Sequence, residues 1–201
     1  MKLAAVLTAS LLSVAAFAQS ATVETESATA GLLGKRYIGA GFGWTDINRS
    51  SVEAMGTGLE LNLPVHPNFD VGVNYSYAWL EGAEEVGHTL GASVTGYLTR
   101  AENKPYARLG IGQFWGNDDW HGDEDFGIWS AEVGVERAVT AKLSLTFSVS
   151  YADNFKDGDN SSWSTALGGT YNLTDSVVAS AEVAWLEYGS LGYTAGLAFR
   201  F

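Results

Sequence analysis

Residues 143–151 read Leu-Ser-Leu-Thr-Phe-Ser-Val-Ser-Tyr. In an extended strand this alternation puts Leu143, Leu145, Phe147, Val149 and Tyr151 on one face and Ser144, Thr146, Ser148 and Ser150 on the other. The same period of two, with almost no helical periodicity after Tyr37, returns in segments 37–45, 52–63, 69–79, 86–98, 105–115, 126–137, 162–172, 176–186 and 191–201. Segments of about ten residues match the length a tilted strand needs to cross the hydrocarbon layer of a bilayer. The expected fold is therefore all-β, a transmembrane antiparallel up-and-down barrel of ten strands. Eight strands is the alternative, because 37–45 is short and 126–137 alternates imperfectly.

A soluble sandwich would alternate as well, and tryptophan separates the two. Trp44, Trp79, Trp115, Trp129, Trp163 and Trp185 share the parity of the aliphatic residues, and each sits near an end of its segment. If the chain runs up and down, all six reach one level, which is the arrangement of an interfacial aromatic girdle. A sandwich core would scatter the indoles in depth, and outward indoles at one level are costly in water. Phe69, Tyr171, Phe199 and Phe201 have the same parity at the opposite ends and form a thinner second girdle.

Composition removes several function classes. The chain of 201 residues has 24 glycines and 3 prolines, so it is neither collagen-like nor a proline-rich disordered chain. It has no cysteine, which excludes disulfides, thiolate metal sites and a cysteine nucleophile. With 11 Lys and Arg against 23 Asp and Glu, the net charge of -12 disfavours a nucleic-acid partner.

Lys2 precedes an apolar run from Leu3 to Phe17 that ends in Ala16-Phe17-Ala18, the form of a secretory signal peptide over residues 1–18. Residues 19–34 are polar and small without periodicity and are expected to be a flexible periplasmic leader, followed by the barrel over 35–201. An even strand count then places both barrel ends on the periplasmic side. The loops expected outside (46–51, 80–85, 116–125, 154–161 and 187–190) hold twelve acids and only Arg49 and Lys156 as bases. The opposite turns hold Glu102 and Asp175 as their acids.

The last segment, Tyr193-Thr-Ala-Gly-Leu-Ala-Phe-Arg-Phe201, alternates apolar outward residues and ends on an aromatic. It resembles the terminal signal of bacterial outer-membrane barrels, with Tyr193, Phe199 and Phe201 as the residues that carry it. Together with the signal peptide and strand pattern, the chain resembles small outer-membrane barrels of the OmpA/OmpX-like kind. The resemblance implies a monomer exported through the periplasm to the bacterial outer membrane. It also implies contact with the barrel assembly machinery during biogenesis, and with membrane lipid and lipopolysaccharide afterwards.

The inward parity is crowded with Gly, Ala, Ser and Thr, and it carries seven charges: Glu60, Asp70, Arg108, Glu132, Glu136, Glu182 and Arg200. Five of them (Glu60, Asp70, Arg108, Glu136 and Arg200) fall near the periplasmic ends and can pair across the lumen, because a charge in a confined space must pair or keep water. Five acids against two arginines also describe a narrow constriction that favours cations. The expected function is a structural or porin-like role as an integral outer-membrane barrel, with a narrow cation-preferring channel as its finer form.

The alternative is a surface-interaction barrel whose acidic loops bind divalent cations, lipopolysaccharide or a protein ligand. Asp118, Asp119, Asp123, Glu124 and Asp125 form a candidate calcium set in one loop, without the order of an EF-hand; Asp153 to Asn160 is a second acidic turn. No other cofactor is expected. A third reading is a membrane-embedded hydrolase. His121 lies beside Asp118 and Asp119, a thin resemblance to omptin proteases, and His88 has lipid-facing parity with Ser93 inward. No catalytic set converges, and the chain is read as not an enzyme.

Overall fold

The computed structural model describes residues 30–46, 53–81, 87–116, 124–156 and 161–201. Ten strands follow one another in chain order: β1 (Tyr37–Asp46), β2 (Glu53–His66), β3 (Phe69–Leu80), β4 (Gly87–Tyr97), β5 (Asn103–Gly116), β6 (Glu124–Ala138), β7 (Leu143–Asn154), β8 (Ser162–Asn172), β9 (Val177–Leu186) and β10 (Leu191–Arg200). Each pairs antiparallel with its sequence neighbours, and β1 pairs with β10 to close the barrel. The ten-strand expectation holds and the eight-strand alternative does not. Several strands run further than the alternation indicated. Glu124 and Asp125, expected in a loop, begin β6, and Asp153 lies within β7.

Closure fixes the tilt. Register partners followed from Gly41 through Gly58, Ser76, Thr89 and Phe114 arrive at Phe126 on β6. Followed the other way, through Gly196, Ser180, Thr170 and Ser144, they arrive at Ala138 on the same strand. The offset is 138 minus 126, or 12 residues, and it is the shear of the barrel. Twelve residues at about 3.3 Å against ten strands at about 4.8 Å set a tilt of roughly 40°, so each residue climbs about 2.5 Å along the axis.

Equal height therefore departs from register by about 1.2 residues per strand. With that correction Trp44, Trp129, Trp163 and Trp185 fall within about one residue of a common plane, and Trp79 and Trp115 stand about two to three residues further toward the loop end. Phe69, Tyr171 and Phe199 lie about seven to eight residues below that plane, roughly 19 Å along the axis, with Phe201 slightly lower. Between these levels the outer face is apolar: Leu59, Leu109, Ile111, Val133, Leu167 and Leu197 are all exposed. Among the described residues no helix is long and apolar enough to cross a membrane.

The turn end is tightly built. The Thr140 hydroxyl accepts from the backbone N–H groups of Lys142 and Leu143 at 3.2 and 3.0 Å, and Thr174 does the same for Ser176 and Val177 at 3.3 and 2.9 Å. The β2–β3 register slips between Pro64 and His66, where proline has no N–H to donate. On the inner wall Gly134 makes room for the Tyr106 ring: a Cβ there would lie 2.5 Å from the ring and 2.6 Å from the Phe147 carbonyl oxygen. Gly134→Val is expected to destabilise the barrel by about 1–3 kcal/mol through overpacking, read as a lower urea midpoint of the detergent-folded protein.

Candidate functional site

The inward residues of the turn half form two tiers. Glu60, Arg108, Glu132 and Glu182 lie about three to four residues below the tryptophan plane, and Asp70, Lys104, Glu136 and Arg200 about seven to eight below it. In the upper tier Arg108 and Glu132 are register partners, and the Arg108 Nε donates to Thr95 Oγ1 at 3.2 Å. The Tyr106 hydroxyl donates to Glu132 Oε1 at 2.6 Å, and the Tyr37 hydroxyl to Glu60 Oε1 at 3.4 Å. Glu60, Arg108, Glu132 and Glu182 line a cavity of about 70 Å³ together with Asn74, Thr89, Ser148, Ser150 and Ser164. Toward the loop end the lumen wall becomes an apolar collar. Phe114 and Phe126 stack at 4.7 Å beside Ala78 and Ile128, and Ala166, Ala184 and Leu186 cluster on the other wall.

The lower tier holds a piece of the chain itself. Residues 30–36 enter the turn-end mouth ahead of β1, burying Ala30, Leu32 and Leu33. The backbone N–H of Leu32 donates to Glu136 Oε2 at 3.0 Å, and that of Gly34 to Asp70 Oδ2 at 3.0 Å. Arg200 Nη2 donates to the Gly31 carbonyl at 2.7 Å and to Asn172 Oδ1 at 2.8 Å, while Lys104 Nζ donates to the Leu33 carbonyl at 3.0 Å and lies 3.6 Å from Glu136. Asn62 Nδ2 donates to the Lys35 carbonyl at 3.3 Å, and the Tyr97 hydroxyl to Asp70 Oδ1 at 3.3 Å. Gly31 has φ +113°, and a Cβ there would stand 2.4 Å from Glu136 Oε1.

Two buried leucines and four charge-assisted hydrogen bonds contribute roughly 10 kcal/mol, and ordering seven residues costs about as much. The segment is docked through both kinds of contact. Burial lowers the Lys35 ammonium from its ordinary value, with the Lys104 and Arg200 charges adding to the effect and Glu136 opposing it. Charge on Lys35 works against docking, so the docked state gains stability as pH rises through that lowered value toward the ordinary lysine range.

Two expectations change. Residues 30–34, expected in a flexible leader, are packed in the lumen, where Leu32 and Leu33 find an apolar seat and the backbone amides of Leu32 and Gly34 donate to two carboxylates. The five charges expected to form one cluster across the lumen lie in two tiers, Glu60 and Arg108 in the upper and Asp70, Glu136 and Arg200 in the lower, and the lower three also meet the backbone of residues 31–34. Lys104, Tyr37, Asn62, Tyr97, Tyr106 and Asn172 were not foreseen as parts of this site. The available signal was Gly31-Leu-Leu-Gly34, two adjacent leucines between glycines in an otherwise polar leader.

The six tryptophans lie on the outer face. Trp44 stacks on Tyr193 at 5.3 Å, and Tyr151 bridges Trp129 and Trp163 at 5.2 and 4.8 Å. Phe199 and Phe201 are exposed at the end of β10. Asp118, Asp119, His121 and Asp123 fall outside the described residues, as do residues 1–29. Among the described residues no three His, Asp or Glu side chains converge to hold a metal ion. His88 meets the Tyr75 hydroxyl on the outer face, and His66 Nδ1 accepts from the Asn68 N–H in its turn.

The sequence profile of the family described as "Outer membrane protein beta-barrel domain" matches residues 4–171. No curated protein sequence matches the chain. Similar solved structures include the NanC porin, at 8% identity and TM-score 0.48, covering 83% of this chain and 100% of that one. The translocator domain of autotransporter NalP from Neisseria meningitidis is 10% identical with TM-score 0.47, covering 98% of this chain and 95% of that one. Neisserial surface protein A is 18% identical with TM-score 0.43, covering 83% of this chain and 97% of that one.

Because the chain has no cysteine, docking of residues 30–36 can be read by thiol labelling. Leu33→Cys should react slowly with a maleimide in the folded barrel, and adding Gly31→Val should raise the rate at least about tenfold by driving the segment out.

Proposed function

The chain belongs to the outer-membrane β-barrel protein family, and from that premise we propose that it forms a narrow, cation-preferring passage through the bacterial outer membrane, held shut at the periplasmic mouth by its own residues 30–36. The observation that carries this reading is the two-tier lumen. An acidic upper tier of three carboxylates and one guanidinium lies above a segment that enters the turn-end mouth and is held by side chains of several strands. Rings of carboxylates favour cations in pores, and a segment held at near-balanced free energy is a stopper that can leave.

The turn end is the periplasmic end in this reading, since the even strand count returns both ends of the barrel there. The separation of the two aromatic bands supports embedding in lipid and lipopolysaccharide, being close to the apolar height of about 25 Å typical of such barrels. Tyr193 and Phe199 on β10, with Phe201 just after it, are the residues the assembly machinery would read. In this reading the protein is a monomer, and His88 and Ser93, on opposite sides of β4, do not form a catalytic pair.

Conductance in planar bilayers tests this reading. The parent should open rarely, and Leu32→Ser with Leu33→Ser should raise the open fraction at least about tenfold by removing the buried apolar contacts. Glu132→Gln with Glu182→Gln should bring the potassium-to-chloride permeability ratio toward one. An undocked variant that never conducts would sink the proposal.

A further inference from the structure

The cavity between the apolar collar and the docked segment offers more buried acceptors than the protein satisfies. Glu60, Glu132 and Glu182 face it with a single guanidinium, Arg108. Glu132 is engaged by Tyr106 and sits in register with Arg108. Glu60 is 8% exposed, and its Oε2 is buried without a hydrogen-bond partner. Thr89, 4% exposed and on the same cavity wall, leaves Oγ1 buried and unpartnered. Buried acceptors of this kind are costly unless a donor or countercharge reaches them.

A bare metal ion does not match this wall. Among the described residues no three acidic or histidine side chains converge on one point, so the carboxylates are distributed around the cavity. The matching ligand spreads its positive charge in the same way, carries many N–H donors and presents methylenes to Ile128, Ala166 and Ala184. We propose that the cavity is a binding site for a small linear diamine. This rests on the reading of the lumen as a cation passage and names what it retains. At roughly 10–15 Å³ for each water-sized position, about 70 Å³ offers about five to seven positions, a range that includes the six heavy atoms of a four-carbon diamine. Its two ammonium groups bring six donors to Glu60, Glu182, Thr89 and the hydroxyls of Ser148, Ser150 and Ser164.

The test is calorimetric titration of the detergent-folded full chain with 1,4-diaminobutane, using 1,4-butanediol and calcium chloride as comparators. One diamine should bind per barrel, the diol should not bind, and excess calcium should not displace the diamine. Glu182→Gln should weaken binding at least tenfold, and Thr89→Val, which preserves shape, should weaken it severalfold, with folding of each variant checked by heat-modifiable gel migration. No diamine binding, displacement by calcium, or affinity unchanged in both folded variants overturns the inference. Bilayer conductance separates its failure from that of the channel reading. A cation-selective barrel that does not bind diamine leaves the passage without this site, and a diamine-binding barrel that never conducts leaves the site without the passage.

Discussion

The hydrogen-bonded seam between β1 and β10 is the constraint on which the rest of the molecule depends. A sheet left open in hydrocarbon would expose a row of unpaired N–H and C=O groups, each costing several kcal/mol, so a strand protein crosses a membrane only as a closed ring. Ten register pairs from Tyr37 with Arg200 to Asp46 with Leu191 make that seam. Closure with a 12-residue offset sets the tilt, and the tilt decides which residues share a height. Tryptophans that are far apart in register become level only because of it.

The inside of the ring is a separate packing problem. Ten strands enclose more space than small inward side chains fill, and the charges placed there need partners. The protein solves this unevenly. The loop end is lined with aromatic and aliphatic side chains, the middle keeps hydroxyls and carboxylates around a cavity, and the turn end borrows backbone from outside the barrel. Borrowed backbone suits that end because it supplies donors for Asp70 and Glu136 and acceptors for Lys104 and Arg200 in the same short stretch.

The outer surface was legible in the sequence and the inner mouth was not. Alternation needs only the two-residue repeat of a strand, so Leu143 to Tyr151 declared its faces without tertiary information, and the level of Trp44, Trp129, Trp163 and Trp185 followed from an up-and-down path. Strand ends were less visible, because Glu124, Asp125 and Asp153 look like loop residues and are held in strands by pairing with Gly116, Trp115 and Trp129. Inward parity picked out Asp70, Glu136 and Arg200, yet could not say what they hold. Their partners include main-chain groups of residues 31–34, and a main-chain group has no residue-type signature.

Docking through residues 30–36 also has a kinetic side, because the segment is continuous with β1 at Tyr37 and never leaves the neighbourhood of its seat. Such a tether gives an effective concentration of order millimolar or more, so rebinding is a first-order event that dilution does not slow. A free peptide of the same sequence at micromolar levels would lose to the attached copy. Any lasting vacancy at the mouth would require something that holds the displaced stretch away from the barrel.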